Sequence, residues 1–142
     1  SDKFYMINGD EWAKKIPGSQ ESIYQGGFHF IDFTDIDNPV ETAIYQVPEV
    51  GSHNHWVEGD ILYAGYYYGG IRVLDISGEL LGDLYAQGRE IAFFEGRDPN
   101  GKIPNETNVW GVIPYKGLIY FADHYNGLWA VKLVDDETMG TN

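Results

Sequence analysis

The residues with the most chemical potential in this chain are two histidines one residue apart, His53 and His55, in the run Ser52-His-Asn-His-Trp56. On a regular strand, positions i and i+2 leave the same face, so the two imidazoles form a usable pair for Zn or Cu. A third ligand has to arrive by folding, and His124, Asp123 and Glu58 are the candidates. The competing reading gives His53 and Asn54 a structural task, tying down turn and backbone groups. A second constellation is Asp32, Asp35, Asp37 and Asn38. Oxygen ligands at alternating positions suit Ca²⁺. The pattern lacks the Gly and the distal bidentate Glu of a full calcium loop, and it also fits an Asx turn between two strands. Asp98, Asn100 and Glu106 form a weaker version, in which Asp-Pro-Asn-Gly is foremost a tight turn. No cofactor is required by any of these patterns, and Ca²⁺ is the ion that the acidic cluster admits.

Nucleophilic chemistry finds little support. There is no cysteine, which removes thiolate catalysis, disulfides and Cys-ligated metals. Gly18-Ser19 and Gly51-Ser52 lack the context of a nucleophile elbow. A carboxylate pair for glycoside hydrolysis is not singled out among 22 acids. The letters His-Asn-His are not an endonuclease motif, because that family disperses its residues around a ββα-metal unit. Net charge is −13, which opposes binding to nucleic acid and to anionic membrane surfaces. Such a charge admits cations or a basic partner, and equally serves solubility. No apolar run approaches the ~20 residues of a membrane span, so no direct membrane insertion is expected. No signal peptide is visible, and a chain that begins at Ser1 is expected to be a processed or partial product.

The elements that must position these residues are short strands. Tyr24-Gln-Gly-Gly-Phe-His-Phe-Ile-Asp-Phe-Thr34 returns as Tyr67-Tyr-Gly-Gly-Ile-Arg-Val-Leu-Asp-Ile-Ser77, and again as His124-Tyr-Asn-Gly-Leu-Trp-Ala-Val-Lys-Leu-Val134. The aligned glycines Gly27, Gly70 and Gly127 lie 43 and 57 residues apart. Ile61–Gly65 and Leu118–Ala122 match at the same 57-residue offset, with Tyr63/Tyr120, Tyr68/Tyr125 and Gly70/Gly127 identical. Each unit reads as an apolar strand, a Gly-containing turn and a second apolar strand. Repeats of this length built from short strands suggest propeller blades. Apolar residues on both faces, such as Phe28, Phe30, Ile31 and Phe33, suit sheets packed between two neighbours.

The expected fold is therefore all-β: two to three four-stranded antiparallel blades of a β-propeller, with an incomplete ring in this chain. A partial blade is expected over 1–48, a blade over 51–87, an insertion loop over 88–107, a blade over 108–134 and a mobile tail over 135–142. Val40–Val47 and Leu80–Ala86 are read as outer strands, and Gly51–Val57 and Asn108–Tyr115 as innermost ones. Lys3–Ile7 is a candidate to complete the third unit. Only Asn8–Lys15 has a helical look.

Gly-Gly-Ile-Arg-Val-Leu-Asp-Ile-Ser at 69–77 resembles the LVIVD repeat, a bacterial and archaeal propeller-like repeat with a Gly-Leu-x-Ile-Val-Asp-[Ile/Val]-Ser-Asp-Pro core. Phe28–Pro39 looks like a second copy with its Asp-Pro turn expanded. Ser52-His-Asn-His-Trp56 and Trp110-Gly-Val-Ile-Pro-Tyr115 resemble inner-strand signatures of the same proteins. The resemblance covers about 26–133 and implies a longer, exported protein without an assigned activity. On this reading the chain is a non-catalytic extracytoplasmic binding or scaffold module, periplasmic, secreted or cell-surface. Its partners are other protein chains or further blades of the same polypeptide. Trp56, Trp110, Tyr66, Tyr67, Arg97 and Asp98 are the candidate contact surface. Aromatics in such strands equally serve packing between blades. The alternative is a hydrolase or metal-dependent enzyme with a site on the ring axis near His53, His55 and His124.

Overall fold

The computed structural model of the protein describes residues 3–15 and 22–134. These form an all-β molecule dominated by antiparallel pairing. The strands are β1 (Tyr5–Gly9), β2 (Trp12–Lys15), β3 (Ser22–Gln25), β4 (Phe28–Asp32), β5 (Val40–Tyr45), β6 (Ser52–Glu58), β7 (Ile61–Tyr66), β8 (Gly70–Asp75), β9 (Gly82–Asp83), β10 (Glu90–Phe94), β11 (Val109–Tyr115), β12 (Leu118–Asp123) and β13 (Gly127–Val131). A single 3₁₀ turn, Tyr67–Gly69, joins β7 to β8. The first sheet has the order β1-β4-β5-β9, the second β10-β8-β7-β6 and the third β11-β12-β13; β2 and β3 pair as a separate hairpin.

Three sheets give two cores. Phe28, Phe30, Ala43 and Tyr45 of the first sheet meet Leu62, Ala64, Tyr66 and Leu74 of the second. Tyr63, Ile71 and Val73, on the opposite face of the second sheet, meet Val109, Val112, Ile119 and Phe121 of the third. Adjacent residues of a strand point to opposite faces. A strand such as Ile61-Leu-Tyr-Ala-Gly-Tyr66, apolar at every position, therefore feeds both cores at once. This is why β7 reads as a continuous apolar run rather than an alternating one.

Several expected elements lie elsewhere. Asn8–Lys15 is not helical: it spans the end of β1 and all of β2. Lys3–Ile7 does not complete the third sheet. Its residues Tyr5–Ile7 pair with β4 in the first. Leu80–Ala86 is not the outer strand of the second unit. Only Gly82–Asp83 is extended, and it pairs in parallel with β5. Leu80 and Leu84, on either side of it, are buried in the first core, and the backbone turns between them. The outer strand of the second sheet is β10, which lies inside the stretch expected to be an insertion loop. The segment 135–142 lies outside the described residues.

Candidate functional site

The two histidines do not act as a pair. Ser52 pairs with Tyr66 and His55 with Ala64, so three steps along β6 match two along β7. That extra residue is a β-bulge, and it breaks the alternation that would place both imidazoles on one face. His55 turns towards the first core, where its ring meets the Phe28 ring at 4.9 Å. Burial pushes its imidazole below the ordinary histidine range. His53 turns the other way. Its Nδ1 lies 2.8 Å from the Trp110 carbonyl oxygen, and that contact makes Nδ1 the protonated nitrogen. Its Nε2 is 4.0 Å from a Glu11 carboxylate oxygen.

The same bulge recurs in the third sheet. Val109 pairs with Asp123 and Gly111 with Ala122, which leaves Trp110 as the extra residue of β11. At the 57-residue offset, Trp110 is the counterpart of His53. The two bulge residues sit on one another with ring centroids 5.0 Å apart. Trp110 also contacts the His124 ring at 5.0 Å and meets Tyr67 edge-on at 6.1 Å. Tyr67 donates its hydroxyl to Glu11, and the Trp110 indole N–H donates to Asn108 Oδ1 at 2.8 Å. Gly65 stands opposite the bulge of β6. A Cβ there would lie 3.2 Å from the Trp110 carbonyl oxygen, a tight contact that the neighbouring sheet meets only by giving way a few tenths of an ångström. The result is a polar and aromatic seam where β6, β11, the Tyr67 turn and Glu11 converge.

This seam stitches sheets together. No three His, Asp or Glu side chains among the described residues come close enough to share a metal ion, so the expected set of His53, His55 and His124 does not assemble. The bulge accounts for this, because it turns His55 towards Phe28 and His53 towards Trp110. The Ser52 hydroxyl donates to the Asp10 carbonyl oxygen at 2.7 Å and is buried there.

The acidic turn is also occupied with its own backbone. Asp35 Oδ1 accepts from the Asp37 N–H at 3.1 Å, and its other oxygen accepts from the Asn38 amide at 2.9 Å. Asp32 accepts from the Thr34 N–H at 2.9 Å and pairs with Lys3 at 3.3 Å. Hydrogen bonds from Thr34, and then from Lys3, hold its carboxyl below the ordinary range. Carboxylates that accept from successive N–H groups form Asx turns. Asp98 does the same for the next loop. It accepts from the Asn100 N–H at 2.7 Å, while Arg97 bonds Glu95 at 2.6 Å and the Asn105 carbonyl at 2.9 Å.

Of the expected contact residues, Trp56 and Trp110 are 48% and 43% exposed. Tyr66 is not a surface residue. It is fully buried, stacks edge-on with Phe28 and Tyr45, and donates to the Tyr45 carbonyl oxygen at 3.1 Å. Tyr67 is buried as well, within the seam. Tyr66 ends β7 and Tyr67 opens the turn into β8, where both side chains are buried.

What the sequence reading did not single out is the outer face of the third sheet. Ile113, Tyr115 and Leu128 are exposed on it, with Tyr120 half-buried among them. A groove of about 380 Å³ begins at His55 and Trp56, passes Gly111 and runs onto Ile113, Tyr120 and Leu128. Its signal in the sequence is the unbroken apolar character of β11 to β13, which demands two covered faces and finds one.

The fold and site define the protein as an all-β assembly of stacked antiparallel sheets with an aromatic seam and an open apolar end. No protein-family model, curated protein or solved structure matches this chain. Among the described residues no helix is long and apolar enough to cross a membrane.

Proposed function

We propose that this chain is a non-catalytic, extracytoplasmic scaffold or binding module whose three sheets are blades of a β-propeller of the LVIVD-repeat kind, completed by further protein surface. One observation carries the reading. Among the described residues, the middle sheet is covered on both faces, whereas the third sheet, built from the same repeat, is covered on one. An apolar face of that kind marks a protein contact in a soluble molecule. The seam supports the scaffold role, because His53, Trp110 and Ser52 spend their polar atoms on backbone and neighbouring side chains. The resemblance of 69–77 supports the repeat class and the extracytoplasmic placement.

Photo-cross-linking in the producing cell tests this. A benzophenone side chain at position 128 is expected to give a discrete protein adduct. The same probe at Lys116, in the exposed turn between β11 and β12, is expected to give none. Absence of an adduct at position 128, or equal labelling from both positions, contradicts the reading.

A further inference from the structure

The repeat identifies what belongs on the open face. At the 57-residue offset Tyr63, Ile71 and Val73 correspond to Tyr120, Leu128 and Ala130. The first three form the face of the second sheet that the third sheet covers. Their counterparts form the exposed face of the third sheet: Ile71 is 2% exposed and Leu128 76%. The residues that do the covering are Val112, Ile119 and Phe121, on the opposite, rearward face of the third sheet. Each sheet thus presents a forward face to the next sheet and a rearward face to the previous one.

The first sheet obeys the same order. Phe28 and Phe30, the counterparts of Ile71 and Val73 at the 43-residue offset, form its forward face in the first core. Among the described residues no other sheet covers its rearward face. Met6 lies beside Ile31 there, and Ile44 beside His29. Met6 is exposed, and Ile31 and Ile44 are half-buried. His29 is held on that face between carboxylates, with Nδ1 3.1 Å from Glu41 and Nε2 3.4 Å from Asp10. Among the described residues, a forward apolar face at one end and a rearward apolar face at the other are therefore left without a covering sheet.

We infer that two copies of this chain associate head to tail, the Leu128 face of each covering the Met6–Ile31–Ile44 face of the other. Joining a forward face to a rearward one is a heterologous contact, which closes when the rotation returns to its start. Two copies supply six sheets, within the range of about four to eight blades in closed propellers. The inference rests on the scaffold reading above and names its partner.

Light scattering on the purified chain, with exposed positions altered, tests it. The wild type is expected at twice the 16.1 kDa chain mass. Leu128→Glu on the forward face and Met6→Glu on the rearward face are each expected to weaken association at least about a hundredfold, because either buries an unpaired carboxylate at both junctions. Mixing the two variants is expected to restore a dimer partly, since one junction then joins two unaltered faces. Circular dichroism matching the wild type shows that the variants remain folded, and Ile113→Glu is a second forward variant. A wild type at 16.1 kDa overturns the inference, as does a dimer broken by Leu128→Glu but indifferent to Met6→Glu, which is a face-to-face pair. If the purified chain is monomeric while the probe at position 128 still cross-links a different protein in cells, the second copy is overturned and the scaffold reading stands.

Discussion

At the scale of single residues, the histidines show how local geometry overrides spacing. His-x-His was legible as a motif, but its meaning depended on a bulge that no residue type announces. One extra residue in β6 separates the two rings into different environments. The half-buried His55 ring makes a pH prediction. The folded state depresses the ionisation of His55 from its usual 6.5, so the unfolded chain takes up the proton first. Its contribution to stability is full above about pH 6.5 and is lost as the pH falls through that value towards the folded one. Urea unfolding midpoints are expected to fall between about pH 7.5 and pH 5.5, and less so in His55→Asn. An unchanged slope in the variant assigns the effect to another group. Ser52 makes a second prediction. Its buried hydroxyl fastens β6 to the Asp10 carbonyl, and Ser52→Ala is expected to cost about 1–2 kcal/mol in equilibrium unfolding. The acidic turn was legible in both its readings, and the Asx geometry appears in the structure because Asp32 and Asp35 each have N–H groups two residues ahead to bond.

At the scale of elements, strand pairs and turns were legible where the repeat was strong. β5, β6, β7, β8, β11, β12 and β13 fall where the apolar runs and glycines place them. The outer strand of the second sheet was not, because Leu80 and Leu84 are apolar in order to anchor a loop, whereas Glu90–Phe94 begins with a charge and alternates in burial. That charge has a partner across the ladder. Arg72 donates to Glu90 at 3.3 Å and to the Gly69 carbonyl at 2.9 Å, and Tyr45 of the first sheet donates its hydroxyl to the same Glu90. Burial and Glu90 together raise the ionisation of Tyr45, which stays a donor at any ordinary pH. Glu90→Ala leaves a largely buried guanidinium without this carboxylate and is expected to cost about 3 kcal/mol, measured by urea unfolding. Gly70 is the second device at this junction. Its φ is +74°, and a Cβ would lie 2.2 Å from the Phe94 carbonyl oxygen. Gly70→Ala is expected to destabilise by more than about 2 kcal/mol and to loosen β10 first, visible as faster amide exchange in 90–94.

At the scale of the whole molecule, the order of layers decides which faces are covered. Among the described residues, three sheets in series leave one with both faces covered and two with one face each, and the aromatic seam fixes the second sheet to the third at the bulges. The sheets were legible because the repeat copies apolar residues onto both faces of each unit. Which sheet lies in the middle, and which face stays open, was not, since burial depends on neighbours rather than on the unit itself. The most direct measurement is amide hydrogen exchange on the purified chain at low and high concentration. The account predicts slowest exchange in Ile61–Tyr66 and Gly70–Asp75 at both concentrations, with protection in Gly127–Val131 that rises as the chain is concentrated. Exchange in β7 and β8 as fast as in β13, or full protection of β13 in dilute solution, would contradict it.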